Sequence, residues 1–143
     1  MALFFNNSQG ATKISAPPRV ITVYDEVSGC PPTRTNPLLT ITATVSGPTH
    51  FRIFARMIRF FNGRTDGYIF IKGPAGSNYA SNTKLTNRLN WTSVGTWDHT
   101  VWDVGAYGNL AGTYTITLTA DSPSSWGCGR SHGSMSVLIL ETA

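Results

Sequence analysis

Short runs of alternating apolar and polar residues, separated by turn-rich segments, recur along the whole chain. The separators are rich in Gly, Pro, Asn and Ser, the residue types that form tight turns. Six runs have the length and period of β-strands, and they cover residues 19–24, 38–45, 50–61, 67–72, 113–120 and 135–141. We therefore predict an all-β chain, folded as a single antiparallel β-sandwich of the jelly-roll type, with only short strands between residues 79 and 107.

The segment HFRIFARMIRFF, residues 50–61, admits two interpretations. On a helix, Arg52, Arg56 and Arg59 would form one cationic stripe, as in helices that bind nucleic acid or anionic membranes. On a strand, alternate residues share a face, and the apolar set is Phe51, Ile53, Ala55 and Met57. Because a lone helix here would leave the neighbouring sheet edges unpaired, we predict a strand whose arginines line a solvent face.

Composition supports the same class. The chain of 143 residues contains 19 Thr but only two Glu and one Gln, a bias toward half-buried pleated surface and away from helix. Its length fits one domain, which we place at residues 19–143, preceded by an N-terminal arm of residues 1–18. Closing the core needs neither a metal nor a disulfide.

Charge argues against nucleic acid as a partner. The net charge is +4 with only 13% charged residues, so the basicity comes from scarce acids rather than from a dense cationic patch. Nucleic-acid binding would require the arginines of one strand to share an exposed face with other basic residues. The set would be Arg52, Arg56, Arg59 and Arg64, together with Arg88 or Lys72.

The first residues predict neither secretion nor a membrane partner. The apolar run near Leu3 lacks a preceding charge and is too short for a signal-peptide core or a spanning helix, so we expect synthesis in the cytosol without a signal peptide. Cys30 and Cys128 are the only cysteines. A disulfide between them is neither required nor excluded, and a reducing compartment favours free thiols.

From residue 38 onward the order of turns and strands resembles the P domain that follows the catalytic domain of proprotein convertases. The similarity is carried by a charged turn at residues 65–67 (TDG), a Pro/Gly turn at 73–77 (GPAGS) and a strand opening at 112–116 (GTYTI), where Tyr114 replaces the usual Trp. The resemblance implies a galactose-binding-like jelly roll. No protease sequence accompanies it, so it implies the fold rather than an activity.

Enzyme-like and metal-binding motifs are sparse. Residues 129–133 (GRSHG) match the G-x-S-x-G pattern, but that motif needs a strand-turn-helix elbow and a later catalytic His, so we predict a Gly-rich loop and no enzyme. Cys30, His99, Cys128 and His132 lack the paired spacing of a zinc site. Calcium would need several strand-end carboxylates to converge, and we interpret these as solvated: Asp25, Glu26, Asp66, Asp98, Asp103 and Asp121. We expect no metal and no cofactor.

The richest aromatic stretch is residues 90–108, NWTSVGTWDHTVWDVGAYG. Its rings could lie in the core, form a subunit contact, or stack on sugars. We name as assembly contacts this stretch and the apolar arm, with residues Leu3, Phe4, Phe5, Trp97, Trp102 and Tyr107. The sugar-binding alternative uses Trp91, Trp97, Asp98, His99, Trp102 and Asp103.

These features favour a non-enzymatic structural protein that works by assembly with copies of itself and with a larger structure. In composition and size the chain resembles bacteriophage virion accessory proteins, such as capsid decoration (cement) proteins and tail components. That resemblance implies incorporation into a virion. A carbohydrate-binding module using the Trp-rich stretch, with a glycan as partner, is the alternative.

Overall fold

Eleven antiparallel strands make up the regular structure of the described residues. The structure is a computed structural model, and it describes the backbone of residues 3–7, 10–14, 16–29, 38–60, 63–86, 91–93, 97–121 and 129–142 and the side chains of residues 16–25, 38–57, 67–86, 101–119 and 133–142. The strands are β1 (Leu3–Asn7), β2 (Gly10–Ile14), β3 (Arg19–Gly29), β4 (Leu39–Val45), β5 (Thr49–Phe60), β6 (Gly63–Lys72), β7 (Thr83–Lys84), β8 (Trp91–Ser93), β9 (Trp97–Gly108), β10 (Gly112–Asp121) and β11 (Gly129–Glu141).

Nine of these strands form two sheets. The front sheet has the order β3-β11-β5-β9, and the back sheet has the order β4-β10-β6-β7, with β8 paired to the start of β6. From β3 to β6 and again from β9 to β11, successive strands alternate between the two sheets, which is the connectivity of a jelly roll. The predicted all-β jelly-roll sandwich is confirmed.

β5 shows why the chain folds this way. It pairs along its whole length with β11 on one side and β9 on the other. Phe51, Ile53 and Met57 point inward and are almost completely buried, whereas Arg52 and Arg56 are exposed. The predicted strand over residues 50–61, with its arginines on a solvent face, is confirmed in its described part.

The core lies between the facing sides of the two sheets. It is built from every second residue of the long strands, as expected for a sandwich. Its fully buried large side chains are Tyr114, Phe51, Ile41, Ile53, Met57, Ile69, Ile71, Ile116, Leu118, Met135 and Ile139.

Tyr114 closes one end of this core. Its hydroxyl donates to the Leu110 carbonyl oxygen at 2.8 Å and accepts from the Leu110 amide at 3.3 Å, so the only polar group of a fully buried ring is satisfied. The ring centroid lies 5.2 Å from that of Phe51. Gly73 and Gly108 make room for the ring, because a Cβ at either position would come within 2.6 Å of it.

Two connections predicted from the sequence are strands instead. Residues 97–108 form the 12-residue edge strand β9, so the prediction of only short strands in this region is wrong. The reason is a period-two pattern in which Trp102 and Ala106 point into the core. Residues 129–133 belong to β11, which pairs with both β3 and β5, so the predicted Gly-rich loop is wrong as well. Gly133 packs so closely on Leu38 that a Cβ would lie 2.5 Å from Leu38 Cδ2.

The N-terminal residues form a separate element. β1 and β2 pair with each other as a hairpin, and in the strand pairing of the described residues neither joins a main sheet. None of the described residues forms a helix that is long and apolar enough to cross a membrane. Cys30 and Cys128 lie outside the described residues, and the prediction of free thiols stays a prediction.

Two glycines of β9 provide a matched test of the packing around Tyr114. Replacing Gly108 by Ala places a Cβ 2.5 Å from Tyr114 Cζ, so we expect the free energy of unfolding to fall by about 1–3 kcal/mol. Gly105→Ala in the same strand meets nothing nearer than the Phe51 carbonyl oxygen at 3.9 Å, and should leave stability unchanged or raise it by up to about 1 kcal/mol. Urea unfolding of the dilute protein measures both. Equal effects of the two substitutions would contradict this description of the core.

Candidate functional site

The outward side of the front sheet is the most distinctive surface of the described residues. We call it the outer face and define it by the outward positions of four strands: Val20, Thr22 and Tyr24 on β3, Ser134, Ser136 and Leu138 on β11, His50, Arg52, Phe54 and Arg56 on β5, and Val101, Asp103, Gly105 and Tyr107 on β9. Strand register aligns these positions into rows. One row runs Tyr24, Ser134, Arg56, Val101, and the next runs Thr22, Ser136, Phe54, Asp103.

Large apolar side chains are concentrated on this face. Among the described residues, six large hydrophobic side chains are exposed, and five of them lie on the outer face: Val20, Tyr24, Phe54, Val101 and Tyr107. They are between 42% and 66% exposed. Ser134, Ser136 and Leu138 of β11 and the two arginines of β5 lie between them. Exposed apolar side chains contributed by three strands to one side of a sheet make that side a candidate contact surface.

An ion pair lies among the exposed apolar side chains of the outer face. Arg52 Nε donates to Asp103 Oδ1 at 2.6 Å, and Arg52 Nη2 donates to Asp103 Oδ2 at 2.9 Å, a bidentate arrangement between β5 and β9. The hydrogen bond to Asp103, followed by the attraction between the charges, raises the pKa of Arg52 further above its usual value. Both side chains are about half exposed, so the pair contributes little to stability and instead fixes two polar groups in place on the surface.

The end of β9 is held by a loop of the back sheet. Asn78 Nδ2 donates to the Tyr107 carbonyl oxygen at 2.6 Å, and the Asn78 amide donates to Asn109 Oδ1 at 2.9 Å. The Tyr107 ring lies 4.8 Å, centroid to centroid, from His50 on the adjacent strand. The polar and aromatic groups at this corner of the outer face are therefore positioned by strands and hydrogen bonds rather than by a free loop.

The structure places one of the predicted site residues in the core and others on the outer face. Trp102 is 6% exposed and belongs to the core, which selects one of the three alternatives for that ring. Tyr107 and Asp103 are exposed on the outer face. For the remaining candidates only backbone is described: Leu3, Phe4 and Phe5 in β1, Trp91 in β8, and Trp97, Asp98 and His99 in β9. Their side-chain roles stay predictions.

The cationic surface required for nucleic acid is not assembled from the described residues. Arg52 and Arg56 share the outer face, but Lys72 lies on β6 of the back sheet. The side chains of Arg59, Arg64 and Arg88 lie outside the described residues. No group of three or more His, Cys, Asp or Glu residues that could hold a metal occurs within the described ranges.

Sequence reasoning missed the β3 and β11 contributions to this face. Val20 and Tyr24 alternate with Ile21 and Val23, so the run RVITVY has apolar residues on both faces of the strand. That pattern on an edge strand was the available signal that its outward side is partly apolar. The register that brings β3 beside β11 joins residues 100 to 120 positions apart, from Gly29–Gly129 to Arg19–Ile139, and is not readable from local pattern.

Comparison with known proteins concerns the fold alone. Neither a protein-family model nor a curated protein sequence matches the chain. The globular domain of zebrafish complement 1qA is similar with a TM-score of 0.50 at 13% identity, over 83% of this chain and 94% of that domain. A chain in the structure of infectious bursal disease virus, Gx strain, has a TM-score of 0.48 at 12% identity, over 96% of this chain but only 40% of the viral chain. A family 35 carbohydrate-binding module from Clostridium thermocellum has a TM-score of 0.36 at 15% identity, over 85% of this chain and 98% of the module.

Adjacent residues of β9 test the division between core and surface. Trp102→Ala removes a buried ring, and we expect the free energy of unfolding to fall by about 3–5 kcal/mol. Val101→Ala, at the neighbouring outward position, should cost less than about 1 kcal/mol. Chemical denaturation of dilute protein distinguishes the two. A Trp102→Ala protein as stable as the unmodified chain would mean that the ring contributes nothing to the core.

Proposed function

We propose that the chain is a non-enzymatic assembly protein that associates with copies of itself and, through them, with a larger particle. The observation that carries this proposal is the concentration of five of the six exposed large hydrophobic side chains of the described residues on the outer face. The particle we propose is a virion, with the chain acting as a capsid decoration (cement) or tail accessory protein. This part, including incorporation into a virion, rests on the resemblance in composition and size noted above, whereas synthesis in the cytosol is inferred from the short apolar run near Leu3.

The chemistry of the outer face suits a protein partner. Its apolar side chains alternate with Ser and Thr, which carry no charge, and its Arg52–Asp103 pair is neutral as a unit, so Arg56 is the remaining formal charge of this face that a partner would have to match. Interfaces between proteins combine apolar and aromatic contacts with few charges at their centres. A contact made here would cover Tyr24 and Phe54, aromatic side chains of the type that contribute most to binding.

The area of the outer face is too small for a stable interface by itself, so a further element must contribute contact area. Strands about 4.8 Å apart, each contributing about seven residues of about 3.3 Å, give a face of roughly 400 Å². A stable interface buries about 800 Å² on each partner. Contact between two outer faces alone would therefore be weak, and a further element is needed.

We assign that role to the β1–β2 hairpin of a second copy. A two-stranded hairpin is marginally stable alone in water, and the described strand pairing joins this one to neither main sheet. Its first strand carries Leu3, Phe4 and Phe5, which gain about 1.5–3 kcal/mol each on burial. Lys13 is the only charged side chain of residues 1–18, so the arm brings little charge onto an apolar face.

The carbohydrate-binding alternative loses one of its proposed rings. Trp102 lies in the core, so it is available neither to stack on a sugar nor to serve as the assembly contact for which it was also named. Asp103 remains exposed and hydrogen-bonded to Arg52, so a polar group of the original set is still available. The platform formed by Trp91, Trp97, Asp98 and His99 stays a prediction.

Substitution of the outer face tests the assembly proposal. The triple change Val20→Thr, Phe54→Thr and Val101→Thr keeps strand-forming residues but removes apolar contact area, and should shift the mass in light scattering toward that of the 15.5 kDa single chain. The control Thr40→Asn with Thr42→Asn alters exposed positions of the back sheet and should leave the mass of the assembly unchanged.

Removal of the hairpin separates its role from that of the sandwich. Deleting residues 1–14 should leave the melting temperature of the dilute protein almost unchanged, since no strand pairing joins the hairpin to either sheet, while weakening assembly. A truncated chain that associates like the full chain would remove the hairpin from the proposal. If the triple variant assembles as strongly as the unmodified chain, the outer face is not part of the contact.

A further inference from the structure

Gly105 has no side chain, so it leaves a gap between the side chains of Asp103 and Tyr107 on the outer face, beside the Arg52–Asp103 pair. Gly105 is an exposed glycine on β9, with Asp103 and Tyr107 two residues away on either side, and its register partner on β5 is Arg52. A Cβ at Gly105 would meet nothing nearer than 3.9 Å, so the space above this stretch of backbone is open. We call the surface formed by Gly105, Arg52, Asp103, Tyr107 and His50 the Gly105 notch.

The polar side of the Gly105 notch offers adjacent donors and acceptors. The bidentate pair uses two of the five N–H groups of Arg52, and each oxygen of Asp103 keeps a further lone pair. Both side chains are half exposed, at 52% and 48%, so these remaining groups can be reached from solvent. A pair of neighbouring hydroxyls, each of which both donates and accepts, matches this arrangement.

The other side of the notch is aromatic. The Tyr107 ring is 42% exposed and is supported by His50, with centroids 4.8 Å apart. The hydrogen bond from Asn78 holds the Tyr107 backbone. An aromatic ring with an apolar face and a polar rim packs well against the C–H face of a pyranose.

We propose that the Gly105 notch binds a neutral pyranose unit of a glycan, with Arg52 and Asp103 bonding adjacent hydroxyls and Tyr107 stacking on the ring. A neutral ligand is favoured over a carboxylated or phosphorylated one because Asp103 already compensates the charge of Arg52. This binding site goes beyond the assembly function, and of the residues first considered for sugar binding only Asp103 belongs to it.

Saturation-transfer NMR of the full chain tests the site with the methyl pyranosides of glucose, galactose and mannose as probes, at a protein concentration at which light scattering gives the mass of the single chain, so that no second copy covers the notch. At least one glycoside should receive saturation. Gly105→Leu fills the notch and Arg52→Lys keeps the charge but loses the bidentate fork, so each should weaken binding at least about tenfold, a loss of about 1.4 kcal/mol. The control Thr42→Leu, on the back sheet, should bind like the unmodified chain.

The unfolding midpoint of each variant shows that the fold is retained, and the mass of Gly105→Leu in light scattering reports assembly separately from sugar binding. Absence of saturation transfer for all three glycosides would overturn the proposal. So would full binding by Gly105→Leu, or tighter and salt-sensitive binding of methyl glucuronide. None of these results bears on the triple variant of the outer face, so failure of this site and failure of the assembly proposal are distinguishable.

Discussion

The register of β5 is the constraint on which the rest of the molecule depends. β5 is a central strand that pairs with β11 and β9 over its full length. Because side chains alternate between the two faces, the same register that buries Phe51, Ile53 and Met57 presents Arg52 and Phe54 on the outer face. A slip of one residue would exchange the two sets and bury the arginines, at a cost that no rearrangement of the core could offset. Core and candidate contact surface are therefore two consequences of one pairing.

The end of the sandwich near Tyr114 links the core to the surface in a second way. The buried ring requires the absence of a side chain at Gly108, and its hydroxyl holds Leu110 in the turn that follows β9. The same turn carries Asn109, which bonds the Asn78 amide, while Asn78 in turn bonds the Tyr107 carbonyl oxygen. The position of the Tyr107 ring on the outer face is thus supported by contacts that begin in the core. Because Trp102 and Ala106 point into the core, only the outward side chains of β9 are available to bind a partner.

Local pattern was sufficient for the strands and the fold class, because period-two alternation and turn chemistry act over a few residues. It failed for β9, where Trp and Asp suggested a connection although Trp102 and Ala106 have the spacing of an inward face. It failed for residues 129–133, where Gly133 is required by close packing on Leu38 rather than by a turn. The outer face could be predicted from the sequence only in part. Arg52 and Phe54 belong to one strand and share its period-two pattern, whereas Val20 is brought near them by the pairing of β3 and β5 with β11.

Hydroxyl-radical footprinting across a dilution series tests the central claim, that the outer face is a contact surface between copies. Tyr24 and Phe54 are exposed on this face in the single chain, and Leu110 is exposed to a similar degree but lies in the turn after β9. We expect Tyr24 and Phe54 to be oxidised slowly at high protein concentration and faster on dilution, while Leu110 reacts at one rate throughout. Oxidation of Tyr24 and Phe54 that is independent of concentration, at rates set by their exposure in the single chain, would contradict the claim.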